Sequence, residues 1–457
     1  MEENVSTTSV ILSPEGAKDL DSSGFALRMT REIGQLMHDF HYIGHELYCE
    51  KVRVRDIAEK VGTPVYIYSY KTFTEHLRKI QKAFRSVKPL ICYSMKANSN
   101  LAILKSLVDK GSGLDIVSGG ELYRAKKVGC PPEKIVYAGV GKTDEEIEDA
   151  LRYGILLFNA ESIPELEAIN RVAKRLKKTA NISLRVNPGI DPKTHDHIAT
   201  GKAESKFGMD LEAAAAIFRK RAQYGSLSIC GVHVHIGSQI VTGRPFVEAF
   251  WKVLKFIDEL ERDKIKIKYL NLGGGLGVIY SNENPQTADE FAKNILPLFK
   301  GRKYKMIFEP GRFISANSGI LAGKVLFIKQ TKVKNFAIVD TGMNDLIRPT
   351  LYGAHHEVCP LVKNERAPKW VYDVVGPICE SGDFLAKDRH IQELKTGDYV
   401  AFMTAGAYGF VMSSNYNSHP RPAEVLVRGS EFSVVRKREN YPKLVEGETL
   451  PAFLEKL

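Results

Sequence analysis

"PLICYSMKANSNLAILKSLVDKGSGLDIVS", residues 89–118, sets an apolar β-rich run, a helix-like segment with its own capping residues, and a second β-rich run in close succession. That order is one βαβ unit. Working outward, the same alternation fills the chain from about residue 90 to 311. "KIVYAG", "ILLFNA", "ISLRVNPG", "ICGVHVHIG", "YLNLGGG" and "KMIFEPG" read as the remaining strands. Amphipathic stretches such as "TDEEIEDALRYG" and "PFVEAFWKVLKFIDELERD" lie between them. Eight such units predict an α/β fold, a closed (β/α)₈ barrel of the TIM type rather than an open doubly wound sheet.

After residue 312 the texture changes. "GKVLFIKQTKVKNFAIVD", "WVYDVVGPI", "DYVAFMTAG", "AEVLVRG" and "FSVVRKR" are β-branched runs separated by turn residues, which predicts a mostly antiparallel β-sandwich or β-barrel. "TPVYIYS", ahead of the barrel, is placed to supply a strand to that sheet, so this domain draws on both ends of the chain. The expected division is a flexible extension over 1–36, a β-domain segment over 37–70, the barrel over 71–312 and the remaining β domain over 313–457. The extension is polar, with one short amphipathic piece near "FALRMTREIGQLM".

Composition narrows the function classes. At 457 residues the chain exceeds one ordinary domain, and no apolar run is long enough to span a bilayer. The cysteines (Cys49, Cys92, Cys130, Cys230, Cys359, Cys379) show no CxxC pairing. With no convincing signal peptide they read as reduced thiols of a cytoplasmic protein, and no metal site is expected. The net charge of +11 sits on stretches such as "NRVAKRLKKTA". A solvated helix face explains these better than a nucleic-acid patch, although a positive field suits an anionic substrate or cofactor.

Residues at the carboxyl ends of barrel strands face the active site. Those ends carry Lys96, Asp115, Asn187, His235, the glycines of "GGGLG", and Glu309 with Arg312. Each has a bland reading: a solvated lysine, a core histidine, a tight turn, a structural ion pair. Together they describe something else. A lysine in a partly desolvated pocket loses its proton more readily and forms a Schiff base. "GGGLG" lacks the dinucleotide pattern, yet its bare amides can nest a phosphate. A buried Glu309 can keep a pyridine nitrogen protonated, and His235, alternating with His233, offers a flat ring. The combination is that of a pyridoxal phosphate site.

From about His41 to the carboxyl terminus the chain resembles the pyridoxal phosphate-dependent decarboxylases with an alanine-racemase-like barrel. The matching motifs are "YSMKAN", "LDIVSGGEL", "SKFG", "HVHIGSQ", "NLGGGLG", "EPGR", "RPTLYGAHH", "GPICESGD" and "AGAYG". The resemblance implies that Lys96 is the Schiff-base lysine, with Asp115 nearer the cofactor than Glu121. It implies that His235 stacks on the ring and that Glu309 binds its nitrogen. Ser238, Gly274, Gly275, Gly311, Arg312 and Tyr408 would surround the phosphate. Arg312, Arg348 and Tyr352, with Tyr408, would hold the retained substrate carboxylate. Cys379 would donate the proton and Glu380 would recognise the distal end of the substrate. In this family the "CES" segment belongs to the neighbouring subunit, which implies a homodimer.

The lysine, glycine and "EPGR" motifs specify the cofactor and not the substrate. "RPTLY" and "CESGD" discriminate, because Arg348 with a tyrosine offers planar, charge-assisted recognition of a carboxylate. That favours meso-diaminopimelate, decarboxylated to L-lysine in the last step of lysine biosynthesis. The alternatives are decarboxylation of ornithine, arginine or a polyamine precursor, and a non-catalytic pyridoxal phosphate-binding regulator. Such regulators typically lose the lysine or the cysteine, and both Lys96 and Cys379 are present. Beside the first histidine of "HDHIATGKAESKFG" the family more often has an aromatic residue or proline, a departure that touches nothing catalytic.

Overall fold

The computed structural model describes residues 38–191 and 206–454. The expected N-terminal extension and most of the "HDHIATGKAESKFG" stretch lie outside the described residues.

All eight expected strands form and close into one parallel barrel. In order they are Leu90–Ser94, Gly113–Ile116, Ile135–Tyr137, Leu157–Ala160, Ala180–Arg185, Leu227–His233, Tyr269–Asn271 and Lys305–Phe308. The eighth returns to the first, with Ile307 and Phe308 opposite Leu90 and Ile91. Gly113–Ile116 and Leu157–Ala160 are buried throughout. Helices cover the outside while side chains fill the inside, so such strands read as continuous apolar runs instead of alternating ones.

The crossover helices begin and end where local chemistry dictates. Thr143 and Glu146 form a reciprocal capping box ahead of Asp144–Tyr153, and that helix stops at Gly154 with φ of 85°. The helix Arg244–Arg262 buries Phe246, Phe250, Val253, Ile257 and Leu260 at helical spacing. Phe246 then meets Phe291 at 4.9 Å between ring centres, and Phe84 meets Phe308 at 4.6 Å. These rings pack the helices that precede strands one, seven and eight against the eighth strand.

The second domain is a nine-stranded sheet, mostly antiparallel. Val65–Ser69 does enter it from ahead of the barrel, antiparallel to Gly319–Gln330 and parallel to Ala423–Arg428. Lys369–Val375 also runs parallel to Asn335–Val339. Neither parallel pair is joined by a hairpin, so turn geometry does not impose antiparallel pairing on it. The three-stranded meander Phe40–Ile43, Glu46–Cys49 and Val52–Arg53 had no counterpart in the sequence reading. Buried Glu50 ties it down by accepting from Ser69 Oγ, Lys71 N and Gly429 N.

One junction positions the site. The loop "AGAYG" of the β domain clamps the turn that carries Lys96. Tyr408 N donates to Ala97 O at 2.8 Å, and Asn98 Nδ2 donates to Gly406 O at 3.0 Å. No helix among the described residues is long and apolar enough to cross a membrane.

Candidate active site

Lys96 sits in a short helical turn, Met95–Ala97, directly after the first barrel strand. Its Nζ lies 3.8 Å from Asp115 Oδ2, at the end of the second strand. Ser94 Oγ donates to the same Asp115 oxygen at 2.6 Å, and Asp115 Oδ1 is buried with no hydrogen-bond partner. Burial, followed by the Glu309 charge, pushes Asp115 well above the usual carboxylate range. The expectation of a readily deprotonated Lys96 is corrected here. The Lys96 side chain is 42% exposed to its pocket, so desolvation, which works in that direction, is partial, and Asp115, Tyr408 and Glu309 outweigh it and raise the amine above its ordinary value.

Glu309 follows the eighth strand and is 6 % exposed. Asn159 Nδ2 and Asn271 Nδ2 donate to its Oε1 at 3.0 and 2.5 Å, and His233 Nε2 lies 3.1 Å from its Oε2. Burial acts to raise this carboxyl. His233, Lys96 and Asn271 overcome that and hold it well below the usual range, so it is a buried anion.

His235 falls two residues beyond the sixth strand, which ends at His233. Its Nδ1 accepts from Gly274 N at 3.2 Å. Burial, then Lys96 and Arg185, push its pKa far down, so the ring is uncharged. The glycine loop must be bare to come this close. A Cβ on Gly274 would meet Glu309 O at 2.2 Å, and one on Gly275, whose φ is +116°, would meet Gly237 O at 2.7 Å. Gly311 is similarly packed on Ser94 and Ala97.

Arg312 opens the helical turn after the eighth strand and is buried. Ser238 Oγ accepts from its Nε and Nη2 at 3.2 Å each, and Tyr280 OH accepts from Nη1 at 2.6 Å. The Tyr408 ring lies 4.8 Å from the guanidinium carbon. Arg348 begins the short helix Arg348–Tyr352, with its guanidinium carbon 4.5 Å from the Tyr280 ring centre. Tyr280 is thus a hub between two buried cations. Tyr352, lower on the same helix, contributes to the electrostatics of both arginines.

Cys379 and Glu380 behave differently. They lie exposed on the loop between strands Lys369–Val375 and Phe384–Gln392, where Cys379 N donates to Asn417 Oδ1 at 2.8 Å. Among the described contacts, neither residue reaches Lys96, Asp115 or Glu309. Asn187 shapes the turn after the fifth strand, accepting from Gly189 N, and Glu121 caps its own helix by accepting from Val117 N.

Asn159, Asn271, Tyr280 and His356 carried no role in the sequence reading. For the two asparagines a signal existed, since each is the polar residue near or at the end of an apolar strand, in "LFNA" and "YLN". Tyr280 sits in a loop without pattern, and only the folded chain brings it to Arg312.

The geometry can be set against a pyridoxal phosphate cofactor. An ionised carboxylate offers about four acceptor positions, and three at Glu309 are filled by side chains. One position therefore remains for a single outside donor, which is what a protonated ring nitrogen presents. An amine beside a buried acid, an uncharged flat ring and a bare glycine loop next to Arg312 complete a donor set that fits.

Comparison with known proteins agrees. Residues 70–316 match the family described as pyridoxal-dependent decarboxylase, pyridoxal binding domain. A relative from Aquifex aeolicus named diaminopimelate decarboxylase is 49% identical over 406 residues, covering 89% of this chain and 96% of its own length. A Vibrio cholerae protein of the same name is 47% identical over 87% of this chain and 95% of its own length. The crystal structure of diaminopimelate decarboxylase from Helicobacter pylori complexed with L-lysine superposes with a TM-score of 0.83 at 41% identity, covering 88% of this chain and 100% of that one. The barrel, the Lys96–Asp115–Glu309 cluster and these matches lead to one assignment: the chain belongs to the pyridoxal-dependent decarboxylases.

Proposed function

We propose that the protein decarboxylates meso-diaminopimelate to L-lysine and carbon dioxide, as a cytoplasmic homodimer acting in lysine biosynthesis. The observation that carries the substrate is Arg348, a buried cation beside Arg312 and Tyr280, in a chain whose relatives over most of its length are named diaminopimelate decarboxylase. A distal carboxylate is the group such a cation recognises, and a substrate ending in a plain ammonium has nothing to offer it.

Lys96 is the amine that would hold the cofactor, and Glu309 would keep its ring nitrogen protonated. Asp115 would stand beside the Lys96 amine, 3.8 Å away, while His235 supplies an uncharged flat group. Ser238, Gly274, Gly275, Gly311, Arg312 and Tyr408 would hold the phosphate. When bound, pyridoxal phosphate supplies an electron sink for the electron pair left by the departing carboxylate. Arg312, Arg348, Tyr352 and Tyr408 would bind and orient the carboxylate that stays.

We assign proton delivery at the α carbon to Cys379 of the neighbouring subunit, and the distal contact to Glu380. The exposure of that loop supports this reading, since both side chains lie at the surface, where another chain's site can receive them. Residues 71–312 form the cofactor-binding unit, and 37–70 with 313–457 form the unit that presents Arg348 to its own site and Cys379 to its partner.

Carbon dioxide release from meso-diaminopimelate, lysine, ornithine and arginine tests the substrate, and no turnover of the first overturns it. Mixing the inactive variants Lys96→Ala and Cys379→Ala tests the shared site. Hybrid dimers place one intact lysine and one intact cysteine together, recovering roughly a quarter of wild-type activity under random pairing. No recovery after verified subunit exchange overturns the trans arrangement.

A further inference from the structure

We propose that His233 is a positioning residue for the cofactor, orienting Glu309 so that the carboxylate keeps one defined acceptor position open to the ring nitrogen. This rests on the reading of Glu309 as the ring-nitrogen partner.

The donors on Glu309 are unevenly divided. Asn159 from the fourth strand and Asn271 from the seventh both serve Oε1, whereas His233 from the sixth strand alone serves Oε2. A carboxylate anchored at one oxygen can still swing its other oxygen about the terminal torsion, which is broad in glutamate. His233 stops that swing and occupies one of the two acceptor positions on Oε2. The second is then the only position left.

His233 is also costly as a packing residue. It is 1 % exposed, and its Nδ1 is buried without a hydrogen-bond partner. An apolar side chain would fill the space without stranding a polar atom. The bond from Nε2 to Glu309 is what a histidine provides here and an apolar residue does not.

The test uses the full-length protein, with pyridoxal phosphate itself as the probe. In His233→Leu the apparent Kd for pyridoxal phosphate rises about tenfold and kcat falls about tenfold, as expected for a lost hydrogen bond to a charged group, while KM stays within about twofold. The acid limb of the bound cofactor's visible absorbance moves to higher pH, because Glu309 loses a donor that favours its ionised form. His233→Gln, whose amide reaches the place of Nε2, restores most of both. His233→Asn, whose amide ends near Nδ1, does not. This pair keeps the test sound if the leucine variant fails to fold. Equal behaviour of the Gln and Asn variants, or unchanged cofactor affinity in a folded His233→Leu, overturns the proposal. Glu309→Gln separates the two readings. If it leaves affinity and spectrum unaltered, the assignment of Glu309 fails and the role of His233 falls with it.

Discussion

Arg348 Nη1 lies 3.0 Å from His356 Nε2, and His356 Nδ1 lies 2.8 Å from Met403 O. A carbonyl can only accept, so the histidine proton is on Nδ1 and Nε2 accepts from the guanidinium. Burial, then the facing Arg348 charge, push His356 down to about 3, so it remains neutral at working pH. A neutral acceptor fixes the cation without cancelling its charge. For His356→Leu we expect KM for meso-diaminopimelate to rise about tenfold with kcat much less affected, from the loss of one hydrogen bond to a charged group. Steady-state kinetics check this, and an unchanged KM would remove His356 from the binding role. Because His356 is already neutral, its titration adds no pH dependence between about pH 5 and 8.

Gly274 is the second point of leverage. A Cβ there would come within 2.2 Å of Glu309 O, a backbone atom held by the barrel. Gly274→Ala therefore has to displace the strand end that carries Glu309. We expect a loss of about 1–3 kcal/mol in stability and weakened cofactor binding. Thermal melts with and without added pyridoxal phosphate measure both.

Asp115 gives a pH-dependent prediction. Its folded pKa is raised, so the protonated form favours folding and ionisation disfavours it. This cost is absent below the ordinary aspartate range and grows as pH rises toward the raised value. Asp115→Asn should accordingly stabilise the cofactor-free protein at neutral pH and make no difference in acid. The same variant should bind pyridoxal phosphate less tightly, because Lys96 loses the acid that lies 3.8 Å from its amine. Denaturant titrations across pH test the first statement, and a uniform effect at all pH values contradicts it.

Asp383 holds the loop that presents Cys379. Its Oδ2 accepts from Ile378 N at 2.7 Å and its Oδ1 from Met343 N at 2.6 Å. Thr350 Oγ adds a bond to Gly382 O at 2.7 Å, which ties this loop to the Arg348 helix. Asp383→Ala strands two backbone N–H groups, each at about 1–3 kcal/mol. We expect lower stability and a fall in kcat larger than the rise in KM. A stability loss with unchanged kcat in the folded fraction would confine Asp383 to a structural role.

The barrel was legible in the linear chain because parallel strands buried on both faces must be apolar throughout, and their crossover helices must be amphipathic. Val65–Ser69 was legible as a strand for the same reason, and its place in the β sheet followed from the company it keeps. The Phe40–Arg53 meander was not, because its strands are four residues or fewer, and their tie to the β domain, Leu47 N to Leu361 O, joins residues far apart in the chain.

Lys96, His235, the glycine loop and Glu309 could be picked out from position alone, since each ends or follows an apolar strand. The linear chain thus carries the barrel and the identity of most chemical groups at its mouth. The protonation of those groups belonged to the tertiary structure. From position alone Lys96 is expected to lose its proton readily, yet Asp115 and Glu309, distant in sequence, shift its pKa upward against desolvation. The orientation of Glu309 by His233, Asn159 and Asn271, and of Arg348 by His356, likewise depends on hydrogen bonds between strands and loops far apart in the chain. Electrostatic energy depends on separation in space, and folding alone sets that separation.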